Sequence, residues 1–168
     1  MKNQPFDTLL ESFSRNGRVN AALLSAITAA DLTASDGQGG WNVGQHLGHL
    51  AEFRYEWLTL ISPEHAAALP SVLEGDEQGF HLTTNDIAVL AGAFSAGDGA
   101  ALTAVTRALE ENMSFKGAYE SHPVHFLQHI LVHDAHHRGQ VVSLLRRSGW
   151  PSAQLVALEN ALWPSGRE

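Results

Sequence analysis

Residues 122–148 constrain the fold most strongly, because apolar side chains recur there at helical spacing over the whole stretch. Ser121 precedes the stretch, Pro123 lies in its first turn, where a backbone N–H is not required, and Gly149 provides a stop signal. On a helical wheel the apolar side chains fill one broad arc, formed by Val124, Phe126, Leu127, Ile130, Leu131, Val141, Val142, Leu144 and Leu145. A helix with such a face must pack against other elements, which predicts a helical core.

Three further long stretches show the same periodicity. The first runs from about residue 6 to residue 30. The second begins near Asn42, which has Gln45 in capping-box position, and ends before Pro63. The third covers about residues 85–112 and keeps one phase across a glycine-containing middle, although two shorter helices are an alternative. The amphipathic pattern of residues 152–163 predicts a short additional helix.

The remaining long segment, residues 63–84, is rich in turn-forming residues and is predicted as a loop with a short helix near residues 65–69. No segment shows a convincing alternating strand pattern. Helices joined by short or moderate connections predict an all-α protein, an antiparallel four-helix bundle, in a single domain of residues 1–168.

Composition argues against several classes of protein. Hydrophobic residues make up 44% of the 168 residues and no apolar run reaches membrane-spanning length, which predicts a globular protein with no membrane partner. The net charge of −8 argues against nucleic-acid binding. The chain has no cysteine, so a metal site must use nitrogen and oxygen ligands. The first seven residues lack the apolar stretch of a signal peptide, which predicts a cytoplasmic protein.

Histidines are the chemical signal in this sequence, since six of the ten lie between residues 122 and 137. His133 and His137 are four residues apart and lie at the edge of the apolar arc or inside it, so both imidazoles can reach one ion. His129 and His125 lie progressively further toward the polar face. The pattern therefore favours His133 and His137 as a metal-binding pair.

A pair of histidines needs further ligands, because catalytic zinc sites commonly have three protein ligands and one open position. The second helix carries His46 inside its apolar arc and His49 at the edge, and spacing alone does not choose between them. Glu52, Asp134 and Gln140 are candidates to orient an imidazole by hydrogen bonding, as is His46. Asp134 is also expected to form an ion pair with Arg138, four residues on.

Two local motifs resemble the DinB/YfiT-like family of four-helix-bundle metalloproteins. Residues 41–50 read WNVGQHLGHL, which is similar to the family's tryptophan followed eight residues later by His-Leu. Residues 133–140 read HDAHHRGQ, close to the family's His-Glu-x-His-His-Arg-Gly-Gln. The resemblance covers about residues 6–150 and leaves residues 151–168 unaligned. It implies that His49, His133 and His137 bind a divalent ion, zinc or nickel, and that the protein is a homodimer.

The same resemblance implies a reaction on a small-molecule substrate, because family members include S-transferases that use low-molecular-weight thiols, and putative hydrolases. A water or a thiol bound to the ion is then the expected nucleophile. Two alternatives stay open. One is a non-catalytic metal-binding or stress-response bundle in which the ion is structural, and the other is a metal-free bundle that acts through its dimer surface.

Overall fold

The computed structural model describes residues 6–77 and 79–167. Residues 1–5, on which the expectation of a cytoplasmic location partly depends, lie outside the described residues, as do residues 78 and 168. The elements in chain order are α1 (Asp7–Ala26), a 3-10 helix (Ala29–Thr33), α2 (Val43–Ile61), α3 (Pro63–Ala66), β1 (Leu73–Asp76), β2 (Gly79–Leu82), α4 (Ile87–Glu110), α5 (Val124–Arg147) and α6 (Ser152–Arg167). The predicted all-α bundle is confirmed, with α1, α2, α4 and α5 as its four long helices.

Local signals explain several of the helix boundaries. Asn42 and Gln45 form the predicted capping box at the start of α2, because each side chain accepts a hydrogen bond from the backbone N–H of the other. Gly149 has a φ of 93°, the left-handed conformation that ends α5. The first helix is shorter than predicted: Ile27 is extended, and Thr28 starts the 3-10 helix with a capping box of its own.

The predicted loop at residues 63–84 contains a structure that the sequence pattern missed. β1 and β2 form an antiparallel hairpin in which Leu73 pairs with Leu82. The hairpin packs on α2, where an added Cβ at Gly48 would lie 2.6 Å from Leu82 Cδ2 and 2.8 Å from Leu73 Cδ1. Its strands have four residues each and bury few side chains, so they lack the alternation that predicts a strand.

Helix α4 is continuous, which confirms the prediction of one helix over its two shorter alternatives. Its buried Gly97 lies against Arg54 of α2, where an added Cβ would be 3.0 Å from Arg54 Cβ. By length and composition alone α4 could also cross a membrane, and a third of its most apolar 18-residue window is buried. Core helices of soluble proteins meet the same criteria, and α4 packs on α1, α2, α3 and α5.

The core consists of two apolar clusters with a polar layer between them. One cluster is centred on Leu23, Leu50 and Val141, and the other on Phe13, Val105 and Ile130. Along α1 and α5 the buried polar side chains Asn16, Asn20 and Asp134 lie between members of the two clusters, and the buried Arg54 of α2 contacts Asp134. This layer joins the long helices beside the histidines of α5. Helix α6, longer than predicted, packs along α1.

Candidate metal centre

His49 on α2 and His133 and His137 on α5 lie together where the two helices pack. Each offers one ring nitrogen, and these three atoms lie within 4.8 Å of one another. The Nε2 atoms of His49 and His133 are 3.1 Å apart. His137 completes the group, with ring centroids 5.0 Å from His49 and 4.6 Å from His133. All three side chains are partly exposed, so the group can be reached from solvent.

The arrangement fits one divalent ion. Two imidazole nitrogens on a tetrahedral zinc ion, each at about 2.0–2.1 Å, lie about 3.3 Å from one another, close to the separation of the His49 and His133 nitrogens. The other nitrogen of His133, Nδ1, is buried and has no hydrogen-bond partner within residues 6–77 and 79–167. The polar contacts of this ring are therefore made through Nε2, whose lone pair can bind an ion together with that of His49.

The electrostatic environment keeps the three rings in the form that binds metal. Burial, reinforced by the neighbouring His49, lowers the pKa of His133 to about 4. Burial and the neighbouring His133 lower the pKa of His137 to about 3, and burial also lowers the pKa of His49. Neutral imidazole is the ligand form of histidine, so the site is ready to bind at neutral pH without first losing protons.

His46, the alternative that spacing left open, lies beside the three-histidine cluster but is not part of it. Its Nδ1 atom is 2.9 Å from Nδ1 of His137. If His137 binds an ion through Nε2, its Nδ1 can hydrogen bond to His46, an arrangement that fixes the tautomer and orientation of a metal ligand. Burial lowers the pKa of His46 as well.

The other residues considered for orienting the imidazoles make their hydrogen bonds elsewhere. Glu52 accepts hydrogen bonds at 3.1 Å from Ser71 Oγ and from the backbone N–H of Val72, and so holds the hairpin segment on α2. Gln140 is exposed. Neither residue has a hydrogen bond to an imidazole among the described residues, so the structure provides no support for that role.

Asp134 is fully buried, and its strongest partner is not the one predicted. Arg54 of α2 forms two hydrogen bonds with it, at 2.7 Å and 2.8 Å, whereas Arg138 Nη1 lies 3.9 Å from its nearest oxygen. Arg138 instead donates to the side-chain oxygens of Asn16 and Asn20, each at 2.7 Å. Asp134 thus positions the helix that carries His133 and His137, and has no hydrogen bond to an imidazole among the described residues.

Aromatic side chains surround the three histidines. Phe53 stacks on His133 with ring centroids 3.9 Å apart, and Trp41 lies 5.1 Å from His49 and stacks over His137 at 6.2 Å. Phe80, on the hairpin, contacts Trp41 at 6.0 Å. The position of Phe80 could not be predicted from the sequence, because its strand was not predicted.

The remaining histidines of α5 lie on its exposed face, as the helical wheel predicted. His129 pairs with the Tyr119 hydroxyl at 2.8 Å and His125 with Ser121 Oγ at 3.0 Å. His136 is exposed and touches His137 only through a ring contact with centroids 5.0 Å apart. These exposed histidines provide control positions for the three-histidine cluster.

Comparison with known proteins identifies the family. No curated protein and no solved structure matches the chain. A model of the DinB family matches residues 1–165, which includes most of the segment after residue 150 that the two motifs left unaligned. Because this match covers nearly the whole chain, the protein belongs to the DinB family.

Proposed function

We propose that His49, His133 and His137 bind one divalent metal ion, zinc or nickel, and that the protein is a metal-dependent enzyme acting on a small molecule. The observation that carries this proposal is the convergence of three imidazole nitrogens from two helices within 4.8 Å. The donor set contains no thiolate or carboxylate, and three neutral ligands leave the ion its full charge.

The proposed reaction is thiol S-transfer or hydrolysis. A divalent ion at this site would supply Lewis acidity, which lowers the pKa of a water or thiol group. The chain contains no cysteine, so any thiol in the reaction must come from a small molecule. Trp41 and Phe53 flank the histidines and would exclude water from one side of the reacting groups. His46 would hold the ring of His137 in position through their 2.9 Å contact.

A second candidate function is structural, because His49 lies on α2 whereas His133 and His137 lie on α5. An ion there would cross-link two long helices without any reaction. The two candidates differ in one measurable property. An enzyme requires a ligand position that small molecules can occupy, whereas a structural site has its coordination completed by the protein.

Metal analysis after gel filtration tests the site. Protein stripped with a chelator and reloaded with Zn²⁺, Ni²⁺ or Co²⁺ should retain about one ion per chain, as expected for a single three-histidine site. His133→Ala should lose it, while the exposed control His125→Ala should retain it. Equal metal content in the parent protein and in both variants would exclude this site.

The loaded protein then tests the reaction. In the Co²⁺ form, a change in the visible spectrum on adding 2-mercaptoethanol would show an exchangeable position and favour the enzyme. An unchanged spectrum would favour the structural ion. Turnover is measured across pairs of thiols and electrophiles and across ester and amide panels, and full metal occupancy without metal-dependent turnover would contradict the proposed activity.

We also propose a homodimer, as the family resemblance implies. Large apolar side chains on the outer faces of α5 and α6, Val132 and Trp163, are about 70% exposed, which is compatible with an interface. Light scattering coupled to gel filtration measures the mass directly, and a monomer at micromolar concentration would contradict the proposal.

A further inference from the structure

A cavity of about 280 Å³ lies between α1 and α4, away from the candidate metal centre. No residue of α2 or α5 lines it. Phe13, Phe94 and Leu102 supply apolar walls, and the carboxyl group of Asp98 reaches it from α4. The volume is close to the lower end of the range for small-molecule sites, so it suits a small ligand.

Asp98 presents one carboxylate oxygen to this cavity. Its Oδ1 atom accepts a hydrogen bond from Arg54 Nε at 2.8 Å and lies 2.8 Å from Arg54 Nη2. Its Oδ2 atom has no hydrogen-bond donor among the described residues, and 16% of the side chain is exposed. Asp98 Oδ2 is therefore the acceptor that this carboxylate offers to water or to a ligand in the cavity.

Gly17 on α1 keeps the open oxygen uncovered. A Cβ added at Gly17 would lie 3.0 Å from Asp98 Oδ2, a closer approach than most side chains tolerate. Glycine in the middle of a helix is less favourable than alanine. Glycine at this position therefore weakens α1 locally while leaving this oxygen uncovered.

The charges around Asp98 favour a cation. Arg54 is shared between two carboxylates, Asp98 and Asp134, so it does not neutralise both. Arg138 lies 3.9 Å from Asp134, and its charge also acts on Asp98, more weakly than that of Arg54. Burial raises the pKa of Asp98 despite the contact with Arg54, which indicates that its charge is incompletely compensated. The cavity also includes the exposed Arg18, whose charge is screened by solvent.

We propose that the α1–α4 cavity is a second binding site, for a small primary ammonium ion bearing an apolar group, with Asp98 Oδ2 accepting the N–H donors. The apolar group of the ligand lies between Phe13, Phe94 and Leu102. This site does not depend on the metal centre, because it shares no lining residue with the three histidines.

Titration with two probes of equal shape tests the charge preference. The probes are 2-phenylethylamine, protonated at neutral pH, and the neutral 2-phenylethanol, each followed by amide chemical shifts of the full chain. The amine should bind at least about tenfold more tightly, since hydrogen bonds to charged groups are stronger than neutral ones. Equal affinities would overturn the proposal.

Variants locate the binding. Gly17→Ala should weaken amine binding by about tenfold or more. The added methyl group covers Asp98 Oδ2 and so removes its hydrogen bond to the ammonium group. Gly92→Ala is the matched control on α4, where an added Cβ meets nothing within 4 Å, and it should bind like the parent protein. Asp98→Asn should remove the preference for amine over alcohol. If Asp98→Asn does not fold, Gly17→Ala decides alone, and unchanged amine binding in it would overturn the site.

Discussion

Arg54 of α2 forms a two-point contact with Asp134 of α5, with Nη1 2.8 Å from Oδ1 and Nη2 2.7 Å from Oδ2, and both side chains are fully buried. Asp134 also accepts hydrogen bonds from Asn16 and Asn20 of α1 at 2.6 Å and 2.7 Å. Burial opposes ionisation of Asp134, but the charge and hydrogen bonds of Arg54 hold its pKa below the ordinary value. These contacts therefore orient the part of α5 that carries His133 and His137, two of the three proposed ligands.

Removing one partner of this buried pair should destabilise the protein strongly. Asp134→Ala leaves the buried Arg54 with Asp98 alone as its carboxylate partner and removes the acceptor for Asn16 and Asn20. We expect a loss of about 3–5 kcal/mol in the free energy of unfolding, measured by urea denaturation. Glu159→Ala removes an exposed ion pair with Arg146 at 3.4 Å and should cost less than about 1 kcal/mol. Similar losses in the two variants would contradict the role of the buried layer.

Metal should stabilise the folded protein through the three histidines. A ligand at about 100 times its Kd adds about 2.7 kcal/mol to the free energy of unfolding. For a chain of this size that corresponds to a rise of about 5–10 °C in Tm. Differential scanning calorimetry of chelated and Zn²⁺-loaded protein measures it. His137→Ala should abolish the rise, and a rise of equal size in that variant would place the ion elsewhere.

His46 should contribute to metal affinity without being a ligand. His46→Phe keeps a ring at this position but removes the nitrogen that contacts His137 at 2.9 Å. We expect affinity for Zn²⁺ to fall about 10–100-fold, the usual effect of losing a group that orients a metal ligand. Competition with a chromophoric chelator gives the affinity. The exposed His136→Phe is the control, and equal affinities in the two variants would show that His46 plays no part.

Close packing of α2 against the 3-10 helix and the hairpin should make Gly44 intolerant of a side chain. A Cβ there would lie 3.1 Å from the backbone oxygen of Leu32 and 2.8 Å from Leu82 Cδ1. Gly44→Ala should cost about 1–3 kcal/mol through this overlap, despite the better helix propensity of alanine. Gly139→Ala, where an added Cβ meets nothing within 4 Å, should instead stabilise the protein by up to about 1 kcal/mol. Urea denaturation distinguishes these opposite signs, and stabilisation by Gly44→Ala would contradict the packing.

Much of the candidate site could be predicted because it depends on local periodicity. His133 and His137 are separated by one helical turn, so their shared face follows from α5 alone. The choice between His46 and His49 could not be made in this way, since each lies near the same face of α2. The relative rotation of α2 and α5 brings His49 into the cluster with both His133 and His137 and leaves His46 beside His137.

The sequence by itself determined the four long helices, most of their boundaries and the pair of histidines on α5, because apolar spacing and capping residues act within a few positions of the chain. Only the tertiary structure decided that Arg54 pairs with Asp134, that Glu52 holds the hairpin segment, and that Asp98 faces a cavity beside Gly17. These contacts join residues far apart in sequence. Their geometry depends on how the helices pack, and no periodicity within a single helix specifies it.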